Sequence, residues 1–293
     1  MSGGPDSLAL LVLASAAGCA VTAWHVDHGL RPGSGDEAAA VGAAAARYGA
    51  RFQAVRVEVG AGPNLEDRAR RARLGALPAG VCTGHTADDQ AETVLLALLR
   101  GAGVDGLSAM GPARHPLLGL RRWETVALCR DEGLEPIDDP TNHDPAVRRN
   151  RVRHELLPLA ADIAGRDVVP LLARTAAILR GDAELLAGAA PPIDPTDAVA
   201  LTGASPPAAR RAVRAWLLDA TGAGGGSVPY PPSAAAVERV LGVARGDATA
   251  CEVAGIGRIA RSGQRLRIDA GVAHRVEVAT ADPAGVRRGD VPQ

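Results

Sequence analysis

Apolar and polar positions alternate in blocks through the first half of the 293-residue chain, and the blocks change period as they go. Residues 8–13 are an unbroken apolar run directly after a glycine-containing polar string, which predicts a helix. Residues 21–26 read as a short buried strand ending at Asp27-His28-Gly29, and residues 35–48 as an alanine-rich helix. Residues 52–59 carry Phe52, Ala54, Val55, Val57 and Val59 and predict a second strand. A basic helix is expected at 65–77, a short strand at 80–84, and a helix at 86–100 with Val94, Leu95, Leu98 and Leu99 on its apolar face. Strand and helix alternating at this spacing predict an α/β fold, a doubly wound parallel sheet with helices on both faces. In such sheets ligands gather at the carboxyl ends of the strands.

The second half loses that rhythm. Helices are expected at 123–132, at 148–160, and at 168–187, the last a long one joining two domains. A proline-rich break at 191–195 leads into a smaller α+β unit with helices at 206–220 and 233–243 and two strands at 252–261 and 265–268. The expected division is a catalytic domain at 1–165, a helical linker at 166–190, a small C-terminal domain at 195–272 and a flexible tail at 273–293.

Composition narrows the function classes. The 32 Lys-plus-Arg residues are all arginine, and arginine grips phosphate through a two-pronged fork where lysine acts as a point charge. A formal net charge of −1 means that any nucleic-acid contact comes from local clusters. Cys19, Cys82, Cys129 and Cys251 are scattered without a C-x-x-C, which argues against an iron–sulfur cluster or a disulfide framework. No apolar run reaches membrane-spanning length and no signal peptide opens the chain, so a cytoplasmic protein without a membrane partner is expected.

Three strings carry chemistry. Ser2-Gly3-Gly4-Pro5-Asp6-Ser7 stands at a helix start. Two glycines admit backbone N–H groups close to an anion, the helix dipole favours negative charge there, and the serine hydroxyls add donors. The string reads as a pyrophosphate cradle, with Asp6 placed to hold a metal bridging the phosphates. A cradle of this kind normally ends a buried strand, yet only Met1 precedes Ser2. The expectation is either a start upstream or a sheet short of its central strand. Asp27 ends a strand, where an Asp either binds magnesium or simply makes a turn. Gly84-His85-Thr86-Ala87-Asp88-Asp89-Gln90-Ala91-Glu92 opens a helix; its carboxylates either complement the dipole or hold a cation, and Asp89 and Glu92 share a face at i, i+3.

Arginine clusters supply a further theme. Arg68, Arg70, Arg71 and Arg73 line the basic helix. Arg148, Arg149, Arg151, Arg153 and His154 crowd a helix start, against the dipole, which points to a polyanion partner. Arg210, Arg211 and Arg214, with Arg258, Arg261, Arg265 and Arg267, either extend a phosphate track or form solvated faces.

These strings resemble the tRNA(Ile)-lysidine synthetases of the PP-loop (N-type ATP pyrophosphatase, adenine nucleotide alpha hydrolase-like) group. SGGPDS (2–7), HVDHGLRP (25–32), NLEDRARRAR (64–73), GHTADDQAETVLLALLRGAGVDGLSAM (84–110) and DPTNHDPAVRRNRVRHELLP (139–158) occur in that family's order over roughly the first 160 residues. The resemblance implies ATP and Mg2+, free L-lysine, and an isoleucine tRNA with a CAU anticodon. ATP adenylates the wobble cytidine, then lysine displaces AMP. By family position Asp27, Asp89 and Glu92 are catalytic, with Asp89 and Glu92 holding lysine. Ser2–Ser7, Gly84 and His85 bind ATP, Asp6 and Asp27 hold the metal, and Arg68, Arg71, Arg149, Arg151 and Arg153 contact tRNA. A homodimer is compatible with the resemblance. The departures are the strand before Ser2, Leu74 where the family usually has Tyr, and His115 where it usually has Arg. The alternatives are another PP-loop tRNA-modifying enzyme, or a tRNA-binding protein impaired in catalysis by the strand it lacks.

Overall fold

The computed structural model describes residues 1–27, 34–57, 72, 75–138, 140–220 and 232–269. The first unit is built around a parallel strand pair, β1 (Thr22–Asp27) and β2 (Arg51–Arg56), in register from Thr22↔Arg51 to Asp27↔Arg56. Helix α1 (Pro5–Ala16) precedes β1, and α2 (Ser34–Arg47) makes the crossover between the strands. Leu8, Ala9, Leu11 and Val12 of α1 and Val41, Ala44 and Ala45 of α2 are buried. Small side chains let α2 lie close to the sheet: a Cβ on Gly42 would stand 3.3 Å from the ring of Phe52, the only phenylalanine in the chain.

Residues 80–84, expected as a strand, form no ladder: Gly80 lies in a turn at φ 80° and 81–84 have no regular structure. Their backbone tie is the Thr83 N–H to the Arg114 carbonyl, 2.9 Å. A strand needs a paired neighbour for its N–H and C=O groups, and no described strand flanks this segment. It leads into α3 (Ala87–Leu98), the short α4 (Val104–Leu107) and α5 (Arg122–Asp131). The helix expected at 148–160 is three pieces in one rod. These are α6 (Arg148–Arg151), a π-helical turn (Val152–Leu156) and α7 (Leu157–Ala164), which ends at Gly165 in the left-handed conformation (φ 61°).

The long α8 (Val169–Ala189) is more than a connector. It packs on α3 and α4, and Val169 joins Ala87, Ala91, Val152 and Leu157 in one buried cluster. Beyond it lie α9 (Ala198–Gly203), α10 (Pro206–Ala220) and α11 (Ala234–Arg245), packed on an antiparallel sheet of β3 (Ala250–Val253), β4 (Gly257–Ser262) and β5 (Arg265–Asp269). Val213, Leu217, Val240, Val243, Ile259 and Leu266 fill this second core. The sequence predicts one strand across 252–261; the structure makes two, because Gly255 (φ 78°) and Gly257 (φ 112°) take backbone angles that side chains disfavour and turn the chain back. Among the described residues no helix is long and apolar enough to cross a membrane.

Candidate active site

The glycine string forms a tight loop on the N-terminus of α1. Gly3 sits at φ +78°, and Gly4 caps the helix in an extended conformation. The Ser7 hydroxyl donates to the Gly4 carbonyl at 2.9 Å, and Ser2 and Ser7 hydroxyls stand 3.4 Å apart. Residues 81–85 bring the second string to this loop. A Cβ on Gly84 would fall 2.3 Å from the Asp6 carbonyl oxygen, so only glycine allows the two backbones to touch.

Helix α3 begins at that contact. Thr86 caps it, and the Asp89 carboxylate reaches back to the Thr86 N–H (2.9 Å) and hydroxyl (3.0 Å). The Asp89 Oδ1 accepts from Arg122 (2.7 Å) and Arg149 (3.0 Å), with Arg153 at 3.7 Å. Glu92, fully buried, accepts from Arg149 Nε and Arg153 Nε, each at 2.6 Å, and from Arg122 Nη1 at 3.3 Å. Burial alone would raise the Asp89 pKa, but Arg122 and Arg149 outweigh it and hold the carboxyl well below the ordinary range.

Arg122 ties this pair to the loop, because its Nε lies 3.5 Å from Asp6 Oδ2. Asp6 also accepts from the buried Thr125 hydroxyl. Burial leaves the Asp6 pKa raised despite both partners. Asp88 positions Arg122: it accepts the Arg122 backbone N–H (2.8 Å) and a fork from Arg121 Nε and Nη2 (3.0 and 3.1 Å). Gln90, a buried residue of α3, clamps both backbone groups of Met110 at 3.0 Å.

A second polar group lies beside Asp89. The Thr83 hydroxyl stands 2.6 Å from His85 Nδ1 and 2.7 Å from His115 Nδ1, and the two rings meet edge to face. Burial, then the Arg114 charge, lowers the His115 pKa, so the ring is neutral at pH 7.

The structure thus brings Ser2–Ser7, Gly84, His85, Asp89 and Glu92 together. Arg149 and Arg153 turn inward onto the carboxylate pair, whereas Arg151 points out and pairs with Glu155 at 2.8 Å. Asp27 ends β1 with its carboxylate 4.0 Å from Arg56 Nε. Arg68 and Arg71 lie outside the described residues. Among the described residues no group of three or more His, Cys, Asp or Glu forms a metal-holding cluster. Sequence reasoning missed Arg121, Arg122 and Thr125. A signal existed: two arginines at a helix start oppose the dipole, as the 148–153 arginines do.

Residues 1–160 match the PP-loop domain family. A tRNA(Ile)-lysidine synthase of Nocardia farcinica is 44% identical over 263 residues, covering 84% of this chain and 81% of its own length. One from Mycolicibacterium paratuberculosis is 45% identical over 234 residues, 74% of this chain and 73% of that protein. A looser likeness is to the solved U34-tRNA thiolase NcsA from Methanococcus maripaludis with its [4Fe-4S] cluster. It is 19% identical, over 64% of this chain and 71% of that one, with a TM-score of 0.46. The chain therefore belongs to the tRNA(Ile)-lysidine synthase family of PP-loop proteins.

Proposed function

We propose that this chain uses ATP to join L-lysine to C2 of the wobble cytidine of an isoleucine tRNA with a CAU anticodon, releasing diphosphate and AMP. The observation that carries the reading is the Gly84–Asp6 contact, which sets an anion-binding loop against a buried carboxylate pair in a chain of this family.

ATP places its phosphates on the loop of Ser2–Ser7, where backbone N–H groups and the α1 dipole stabilise the departing diphosphate. The cytidine O2 forms a bond to the α-phosphorus as the bond to the diphosphate breaks. Mg2+ fits this donor set: it takes one or two carboxylates and fills its shell with phosphate oxygens and water, so no three-ligand protein cluster is needed. Asp6 would hold it, with Asp27 as the second candidate, and the ion would neutralise charge on the phosphates. The Asp6 carboxyl, its pKa raised by burial, gains from a nearby cation. Asp89 and Glu92 hold the lysine ε-ammonium and aim it at C2. After the amine loses a proton, its lone pair forms the N–C2 bond and the C2–O bond breaks onto AMP. Arg68 and Arg71 are proposed for ATP or cytidine contact, and the exposed Arg148 and Arg151 for the anticodon backbone.

The test is incorporation of labelled lysine into an unmodified transcript with ATP and Mg2+. Labelled lysidine in the nuclease digest is expected, and Glu92→Gln should raise the lysine KM by about tenfold or more, for a lost charged contact. No lysidine from the parent chain would overturn the function. An unchanged KM in Glu92→Gln would overturn the pocket.

A further inference from the structure

Asp89 and Glu92 have no acceptor capacity left. A carboxylate offers about four lone-pair sites, and each of the four oxygens here already accepts two hydrogen bonds. Asp89 Oδ1 takes Arg122 and Arg149, and Oδ2 takes the Thr86 N–H and hydroxyl. Glu92 Oε1 takes Arg122 and Arg153, and Oε2 takes Arg149 and Arg153. Charge is balanced too: Asp6, Asp89 and Glu92 face Arg122, Arg149 and Arg153. An ammonium added to this cluster would be an uncompensated charge in a largely buried place, which is costly. An ammonium exchanged for one guanidinium leaves the balance intact.

The geometry singles out which guanidinium leaves. Arg122 is anchored by its backbone N–H on Asp88 and its Nε on Asp6. Arg153 closes a fork on both oxygens of Glu92. Arg149, like Arg122, puts one bond on each carboxylate, Nε to Glu92 Oε2 and Nη2 to Asp89 Oδ1, but it lacks Arg122's further ties to Asp6 and Asp88. It is also the most exposed of the three side chains, at 30% against 24% and 23%. Its departure frees one site on each carboxylate, a fit for a compact head with three N–H donors.

We infer that Arg149 is an exchangeable plug in the lysine pocket, displaced one for one by the ε-ammonium and held outside it by a phosphodiester of bound RNA. The first turn of α6 supplies the pull. Arg148, Arg149 and Arg151 stand there against the helix dipole, and a phosphate relieves that repulsion. Lysine and RNA then favour one another's binding, and linkage makes the effect equal in both directions. Lysine is admitted chiefly when the tRNA is in place. The inference rests on the reading of Asp89 and Glu92 as the lysine pocket.

The experiment measures L-lysine affinity for the full chain by equilibrium dialysis, with and without the anticodon stem–loop RNA. In the parent chain the RNA should tighten lysine binding by about tenfold, within the usual range of coupling between sites. Arg149→Gln should bind lysine without RNA more tightly than the parent does, and the RNA effect should nearly vanish. Arg149→Lys, which keeps a cation, should retain the coupling. Weaker lysine binding by RNA-free Arg149→Gln would overturn the exchange. So would equal affinities with and without RNA in the parent, which decides the matter even if the variant fails to fold. Lysidine formed without coupling sinks this inference alone; no lysidine at all sinks the function beneath it.

Discussion

Gly84 shows how a single residue fixes the site. Its missing side chain lets residues 81–85 touch the first turn of α1, where a Cβ would meet the Asp6 carbonyl at 2.3 Å, and that neighbour is backbone rather than a movable side-chain tip. Gly84→Ala should therefore cost about 1–3 kcal/mol, the range for forced overpacking, and weaken ATP binding in parallel. Thermal melting and nucleotide titration would check both; an unchanged ATP affinity would show that the loop does not depend on this contact. At this scale much was legible from sequence. Ser2–Ser7 and His85–Glu92 are local strings whose chemistry depends on neighbours a few positions away. Arg122 was not legible, because its role depends on Asp6, Asp89 and Glu92, which reach it from distant parts of the chain.

At the scale of elements, the N-terminus of α3 couples stability to pH. Burial opposes ionisation of Asp88 and Asp89, yet Arg121 and a backbone N–H bond for Asp88, and Arg122 and Arg149 for Asp89, lower both pKa values below the ordinary carboxyl value of 3.8. The unfolded chain binds protons at these groups before the folded one does. Their contribution is complete above pH 3.8 and is lost as pH falls through the lowered values. Asp6 runs the other way: burial raises its pKa, so its contribution is lost as pH rises through that raised value. Asp89→Asn should lower stability at pH 7 by about 3 kcal/mol, since guanidinium groups lose a buried partner. It should also flatten the acid side of the stability curve. Denaturant melts between pH 3 and pH 7 would show it; an unaltered acid slope would mean that other carboxylates govern it. Elements with their own periodicity, such as α3 and α10, were readable in advance. The segment at 80–84 was not, because apolar content does not supply a partner strand. Nor was the π-helical turn after Arg151, which arises within a sequence that reads as continuous helix.

The whole molecule depends on a joint that no single string announces. Asp105 of α4 lies 3.3 Å from Arg211 and 3.6 Å from Arg214 of α10, and Arg211 also donates to the Ala183 carbonyl of α8 at 3.0 Å. Two arginines that read as a phosphate track thus fasten the second unit to the first. The ion pairs are partly exposed, so each is worth at most about 1 kcal/mol, and the buried packing of α8 on α3 carries most of the joint's stability. Their effect is on direction. Removing them leaves both cores intact but frees the second unit to swing about the end of α8. Asp105→Asn should therefore leave the melting temperature within a few degrees and the ATP affinity unchanged, while the tRNA KM rises several-fold and small-angle scattering shows a broader particle. An unchanged tRNA KM together with unchanged scattering would mean that helix packing alone sets how the units are aligned.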